Sequence, residues 1–267
     1  MTRPFEGLPS ECDLVALSVL VPAATTRLLL KDSAAEPVLA ATLLPMAWPA
    51  LHRADDQLMV GLQVTGGSGD PSRDIAAALL EAQELPAGSP VLSVGRPGPG
   101  PRLQDILNTS VELDIEVHAG FDYWLEGAAG DVTEDMTAAL GRANEQVVPT
   151  ARLASVEAAY WCRIGTKEHL RWVLPESEDD LLNAFAKLAA DNQLGLGPGT
   201  KYIGCFRSHG LLAAVWDLAP GDEADDIEEA ASAFREKLDM ALADSSPLSA
   251  EARRQRTGIV SRQVTLR

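Results

Sequence analysis

The chain has 267 residues, of which 46% are hydrophobic and 23% charged, so it can bury a core as one large domain or two ordinary ones. Its formal net charge of −17 makes a surface that repels phosphate backbones, and nucleic-acid binding is therefore disfavoured. The first thirty residues mix apolar and acidic side chains, which is typical of neither a signal peptide nor a membrane span, and the three cysteines have no C-x-x-C spacing. We therefore expect a cytoplasmic protein without membrane contact, disulfide framework or zinc ribbon.

Helices are expected to flank the strands of the first half. A short helix capped by Ser10 is predicted over residues 9–20, and longer amphipathic helices are predicted to begin near Asp70 and at Thr133. Runs of β-branched and apolar residues predict five strands, at 25–31, 37–44, 57–65, 111–117 and 121–126. Residues 86–110 are rich in Pro and Gly and predict a long mobile loop, in which only "PRLQDIL" favours a helical turn.

The second half is predicted to repeat this order. The runs "LASVEAAYWCRIG" and "EHLRWVLP" predict a pair of strands, Ser177 is expected to cap a helix, and "KYIGCFRSHGLLAAVWDL" predicts a hairpin that turns at "SHG". A long helix over residues 222–244 closes the repeat. It holds nine acidic and two basic side chains, a net charge of −7.

We therefore predict an α+β protein made by tandem duplication, in which each half has the order strand, strand, helix, strand, strand, helix. The first repeat would span residues 1–149 and the second residues 150–267, and each would be an antiparallel sheet with helices packed on one face. Trp48 matches Trp161 in this alignment, although chance matching is the alternative because Trp recurs in strand pairs.

The basic tail, residues 251–267, carries five Arg and one Glu, a net charge of +4, after the acidic helix. Its end, "GIVSRQVTLR", alternates like a strand, with Val260, Val264, Leu266 and Arg262 on one face. We expect the tail to dock on the acidic helix of its own chain and to add an edge strand. The alternative is an exposed arm that pairs with a partner protein, or with a second copy of the chain as a homodimer, by strand addition. In that alternative the candidate partner-binding residues are Arg253, Arg254, Arg256, Arg262 and Arg267.

The signatures of the common enzyme classes are missing from the sequence. The nearest match to a phosphate-binding loop, "GLGPGTK", fails the required register, and no G-x-S-x-G nucleophile elbow occurs. The four histidines are scattered, Cys162 and Cys205 lie in apolar strand runs, and the acidic residues at helix starts are favoured by the helix dipole. We therefore predict no catalytic residue, no metal site and no cofactor.

Several phrases resemble a known family, among them "RPFEGLPSECDLVAL", "LLPMAWPAL", "HLRWVLP" and "GIVSRQVTLR". Over essentially the whole chain the sequence is similar to an uncharacterised family of actinobacterial proteins, a domain of unknown function. The resemblance implies no activity and no functional residues; members sometimes labelled translocase or topoisomerase often begin with a Lys/Arg-rich leader, which this chain lacks. The element order of each half is also similar to type III secretion chaperones, which bind other proteins through their sheet and helix surfaces.

Two functions are compatible with this sequence. The first hypothesis is a non-catalytic cytoplasmic protein-binding module, an adaptor or chaperone-like factor. The alternative is a small-molecule enzyme or ligand-binding protein with its pocket at the seam between the two repeats, where Arg96 or Arg102 of the long loop would hold an anion.

Overall fold

The computed structural model describes residues 3–31, 37–63, 67–126 and 134–265. The chain divides into two compact units, Pro4–Val147 and Val148–Arg267, the second of which also takes in Met1–Arg3. Among the described residues, no helix combines the length and the apolarity needed to cross a membrane. The α+β class predicted from the sequence is confirmed, because each unit pairs a mainly antiparallel sheet with packed helices.

The first unit is built on a six-stranded sheet. Its strands are β1 (Ala24–Leu28), β2 (Val38–Ala41), β3 (Ala50–His52), β4 (Leu58–Gly61), β5 (Ser89–Val91) and β6 (Ile115–Val117). Their order in the sheet is β5-β3-β4-β2-β1-β6, and neighbours are antiparallel except for the parallel pair β2 and β4. The helices are α1 (Glu11–Val19), α2 (Pro71–Glu84), α3 (Leu103–Ile106) and α4 (Glu134–Asn144).

Helices α2 and α4 lie on opposite faces of this sheet. Helix α2 packs against β3, β4 and β5, and Nδ1 of His52 lies 2.7 Å from the carbonyl oxygen of Leu85 at the end of that helix. The preceding residue, Leu51, points to the other face because successive side chains of a strand alternate. There Leu51 pairs with Met59 across the strands and packs in one cluster with Leu140 of α4.

The second unit holds another six-stranded sheet. Its strands are β7 (Thr150–Arg152), β8 (Ala159–Ile164), β9 (Lys167–Leu174), β10 (Lys201–Ser208), β11 (Leu211–Asp217) and β12 (Val264–Thr265). The order is β12-β10-β11-β9-β8-β7, antiparallel throughout except where β12 runs parallel to β10. The helices are α5 (Glu178–Ala190), α6 (Ala224–Ala243) and α7 (Ala250–Val260).

Aromatic rings fill the core of the second unit. Trp172 and Trp216 are almost fully buried with centroids 6.3 Å apart, and Phe234 of α6 lies 5.2 Å from Trp216. Trp161 is buried in the same cluster. These three tryptophans therefore serve core packing.

The two units share the spatial order of their four central strands and differ in how these are connected. In the second unit, α5 separates β9 from β10, so that β11 returns antiparallel to β9. In the first unit only a 3₁₀ turn at Pro45–Ala47 separates β2 from β3, and β4 therefore lies parallel to β2. The tandem duplication stays a prediction.

The C-terminal segment differs from the strand-like tail predicted over residues 251–267. Most of it is helix α7, which Ser249 caps by accepting a hydrogen bond from the amide of Ala252 at 3.0 Å. The composition explains this, because "AEARRQR" consists of strong helix formers. Helix α7 packs against α5, whereas docking on the acidic helix was expected.

An edge strand does follow α7, and within the described residues it comprises Val264 and Thr265. The strand predicted over 121–126 is instead a 3₁₀ turn at Asp122–Trp124. The proposed helix start at Thr133 and the tail residues Leu266 and Arg267 lie outside the described residues.

Candidate ligand-binding site

The first unit contains a cavity of about 490 Å³. Its wall is mainly apolar and includes Trp48, Leu51, Trp124, Leu125 and Leu140. These side chains come from β3 and the turn before it, from the turn at Asp122–Trp124, and from α4. A largely apolar cavity of a few hundred Å³ has the size and character of a small-molecule site.

Trp124 is held in one orientation by contacts on two sides. Its indole Nε1 donates a hydrogen bond to the carbonyl of Leu43 at 2.9 Å, and the hydroxyl of Tyr123 donates to the same oxygen at 2.9 Å. The ring of Phe121 stacks on Trp124 with centroids 4.6 Å apart and an interplanar angle of 19°. Because its polar edge is bonded and one ring face is covered, Trp124 offers the cavity a rigid apolar surface.

The same turn is tied to α4, and its Tyr123 side chain is buried. The amide of Phe121 donates to Oδ1 of Asn144, in the last turn of α4, at 2.8 Å. Burial raises the pKa of Tyr123 to about 12. The neutral phenol is therefore the form that this turn accommodates.

The turn that carries Trp48 has a strained backbone. Met46 and Ala47 both adopt left-handed backbone angles, with φ of 52° and 54°, although neither is glycine. Each such residue costs on the order of 1 kcal/mol, and residues held in this way are found at functional sites. The turn is closed by hydrogen bonds from Ala47 to Leu44 and from Trp48 to Pro45, each 3.0 Å. Met46 lines the cavity, and 84% of this residue is exposed to solvent.

Close packing against β4 also fixes this segment. The amide of Gly61 donates to the carbonyl of Pro49 at 2.9 Å. A Cβ at position 61 would lie 3.1 Å from the carbonyl oxygen of Trp48, so only glycine fits without a shift.

Two charged residues line the cavity, Arg53 and Glu126. The guanidinium of Arg53 binds the carboxylate of Asp55 through Nε at 3.0 Å and Nη2 at 2.5 Å. This hydrogen bonding holds the pKa of Asp55 below its ordinary value. The side chain of Arg53 is only 12% exposed, whereas Glu126 is exposed to solvent. The wall therefore offers a ligand apolar contacts and one guanidinium group as a hydrogen-bond donor.

A family model matches residues 4–267, essentially the whole chain. The chain belongs to DUF5926, a family of unknown function. Comparison with curated proteins and comparison with solved structures each gave no match.

Three tail arginines of this DUF5926 protein make contacts with residues close to them in the chain. Arg253 donates to the carbonyl of Leu248 at 2.7 Å, and Arg254 forms an ion pair with Glu251. Arg262 donates from Nε to the carbonyl of Gly258 at 3.1 Å, at the end of α7. Arg267 lies outside the described residues. The role of these residues in partner binding stays a prediction.

Arg256 instead anchors the tail to α5. Its Nε donates to Oδ1 of Asn183 and its Nη2 to Oδ1 of Asp179, both at 2.8 Å. Just beyond α7, the side-chain amide of Gln263 donates from Nε2 to Oε1 of Glu178 at 3.0 Å. The tail is therefore docked on its own unit through the acidic start of α5.

The two loop arginines proposed for anion binding do not line the cavity. Arg102 forms an ion pair with Asp70, with Nε and Oδ2 2.7 Å apart, and donates to the carbonyl of Pro4 at 2.9 Å. Arg96 is exposed in the Pro/Gly-rich loop. Their anion-binding role stays a prediction.

Sequence patterns did not find the cavity of this DUF5926 protein. A strand was predicted over residues 121–126, yet Trp124 lies in a turn, as Trp48 does, and both side chains are only partly buried. The available signal was the phrase "LLPMAWPAL", where two prolines flank Trp48 and disfavour a continuous strand. In the described ranges there is no group of three or more His, Cys, Asp or Glu that could hold a metal ion.

Proposed function

We propose that this protein binds a small apolar molecule in the cavity of its first unit and holds it without changing it chemically. The observation that carries the proposal is the apolar cavity of about 490 Å³ with Trp124 fixed in its wall. A preformed apolar site loses little conformational freedom on binding, so the buried area is converted efficiently into affinity.

The magnitude is sufficient for specific binding. A ligand that buries about 400 Å² of its own apolar surface gains roughly 10 kcal/mol of hydrophobic free energy before the cost of association. With an association cost of about 4 kcal/mol, about 6 kcal/mol remains, which corresponds to a dissociation constant of roughly tens of micromolar.

The test uses the neutral dye Nile red, whose fluorescence rises in apolar surroundings. We expect saturable enhancement with the wild-type protein. Ala139 of α4 is exposed and lines the cavity, so the variant Ala139→Trp should occupy the cavity and abolish the enhancement. The neighbouring residue Ala138 is also exposed but does not line the cavity, and Ala138→Trp is the matched control that should leave binding intact.

Two results would contradict the proposal. One is the lack of saturable enhancement with the wild-type protein. The other is equal binding by the Ala139→Trp and Ala138→Trp variants, which would place the dye elsewhere.

The protein-binding module and the homodimer expected from the sequence stay predictions. Strand β12 pairs in parallel with Phe206 and Arg207 of its own chain. Sedimentation velocity of the full chain over a range of concentrations tests the dimer.

A further inference from the structure

The charges at the cavity disfavour an acidic ligand. Arg53 is neutralised by a bidentate pair with Asp55, and the low pKa of Asp55 keeps that carboxylate ionised at neutral pH. Glu126 adds a negative charge to the wall. An anionic ligand, such as a fatty acid, would meet no unneutralised cation among the described lining residues and would be repelled by Glu126.

Arg53 nevertheless keeps hydrogen-bonding capacity. Asp55 occupies its Nε and Nη2, and within the part of the chain that the structure describes its Nη1 donates no hydrogen bond. The Arg53 side chain as a whole is 12% exposed, and Nη1 is not one of the fully buried polar atoms that lack a partner, so this donor is reachable from outside the protein. A hydrogen bond from a charged donor to a ligand is stronger than one between neutral groups, and a carbonyl or ether oxygen accepts it without adding charge.

The aromatic residues favour a ring over an aliphatic chain. Phe121 covers one face of Trp124, and Trp124 and Trp48 both line the cavity. Aromatic rings in offset or edge-to-face contact attract each other by more than the area they bury accounts for. An alkyl chain that buries an equal area lacks this attraction between rings.

We infer that the ligand is a neutral aromatic molecule carrying one hydrogen-bond acceptor, with its ring against Trp48 and Trp124 and its acceptor on Nη1 of Arg53. This inference rests on the proposed function, and it specifies the chemical class of the ligand.

The experiment compares three naphthalenes of similar shape as competitors of Nile red. The probes are 2-acetylnaphthalene, a neutral ketone; 2-isopropylnaphthalene, its apolar isostere; and 2-naphthoate, an anion. We expect 2-acetylnaphthalene to bind about tenfold more tightly than the isostere, because it alone offers Arg53 a neutral acceptor. The naphthoate should bind most weakly.

Two variants test whether the preference for 2-acetylnaphthalene depends on the Arg53–Asp55 pair. Arg53→Met keeps side-chain length and removes the donors, so 2-acetylnaphthalene should fall to the affinity of 2-isopropylnaphthalene, whose own affinity should change less than twofold. Asp55→Asn removes the neutralising charge and should raise the affinity for 2-naphthoate severalfold.

Three other outcomes would contradict the acceptor assignment, the neutral ligand class or the proposed function. If the two neutral probes bind equally to the wild-type protein, the acceptor assignment is wrong while the proposed function stands. If 2-naphthoate binds most tightly, the neutral class is wrong. If neither Nile red nor any naphthalene binds, the proposed function and the ligand class fall together. The wild-type series decides these points even if a variant fails to fold.

Discussion

Two threonines of the first sheet should respond in opposite directions to the same substitution. Thr42 is fully buried just after β2; its Oγ1 donates to the carbonyl of Pro22 at 2.9 Å and accepts from the amide of Ala24 at 3.1 Å. Thr26 in β1 is 2% exposed, and its Oγ1 has no hydrogen-bond partner among the described residues. Replacing each by Val preserves shape and removes only the hydroxyl.

The expected change in the free energy of unfolding depends on which hydrogen bonds each substitution removes. Thr42→Val strands two buried backbone groups at about 1–3 kcal/mol each, partly offset by the added methyl group, so we expect a loss of about 3 kcal/mol in the free energy of unfolding. Thr26→Val removes an unsatisfied buried hydroxyl and should gain about 1 kcal/mol. The two variants should therefore differ by about 4 kcal/mol.

Urea unfolding followed by circular dichroism measures this difference. With a slope of about 2 kcal/mol per molar, the midpoint for Thr42→Val should fall by more than about 1 M, while that for Thr26→Val should rise slightly. Equal destabilisation by the two substitutions would refute the reasoning, because it would mean that hydrogen bonding does not distinguish the two sites.

Three further predictions concern a helix cap and two titrating groups. Ser177→Ala removes the hydroxyl that accepts from the amide of Asp180 at 3.2 Å and should cost about 1 kcal/mol in thermal unfolding, while Ser177→Thr should cost less; equal losses would argue against the cap. The hydrogen bond from Lys187 holds the pKa of Asp244 at about 2, so its contribution to stability is complete above the ordinary value of 3.8 and is lost as pH falls toward 2. NMR titration should show this pKa rising toward 3.8 in Lys187→Met, and an unchanged value would contradict the assignment. Burial raises the pKa of Tyr123 to about 12, so stability should fall as pH rises from 10 to 12. Urea unfolding at these two pH values should show a smaller loss in Tyr123→Phe, and an equal loss in both proteins would contradict the assignment.

Local signals in the sequence were sufficient for much of the second unit. The hairpin at "SHG" was predicted because such a turn needs positive φ angles, and His209 and Gly210 adopt φ of 47° and 82°. The Ser177 cap of α5 was predicted from its position before an acidic first turn. These features depend on residues close together in the chain.

Features that depend on distant residues were missed. Strand β5 lies in the segment predicted as a long loop; it contains three residues and is defined by its pairing with β3. The cavity likewise joins Trp48 to Trp124, which no local pattern connects. In the tail, the alternation of "GIVSRQVTLR" resembled a strand, whereas Ala252 and Ile259, seven residues apart, are the buried positions of a helix face.

The pairing of β1 with β6 has a consequence for the order in which the first unit folds. Thr25 and His118 meet at 2.8 Å although they are 93 residues apart, so this edge of the sheet closes only after a long loop of chain has been ordered. The hairpins β8–β9 and β10–β11 of the second unit close between immediate neighbours and should form earlier in refolding. Trp124 follows β6 directly in the chain. The wall of the cavity should therefore be among the last parts to take its place, and recovery of Nile red binding should lag behind recovery of secondary structure.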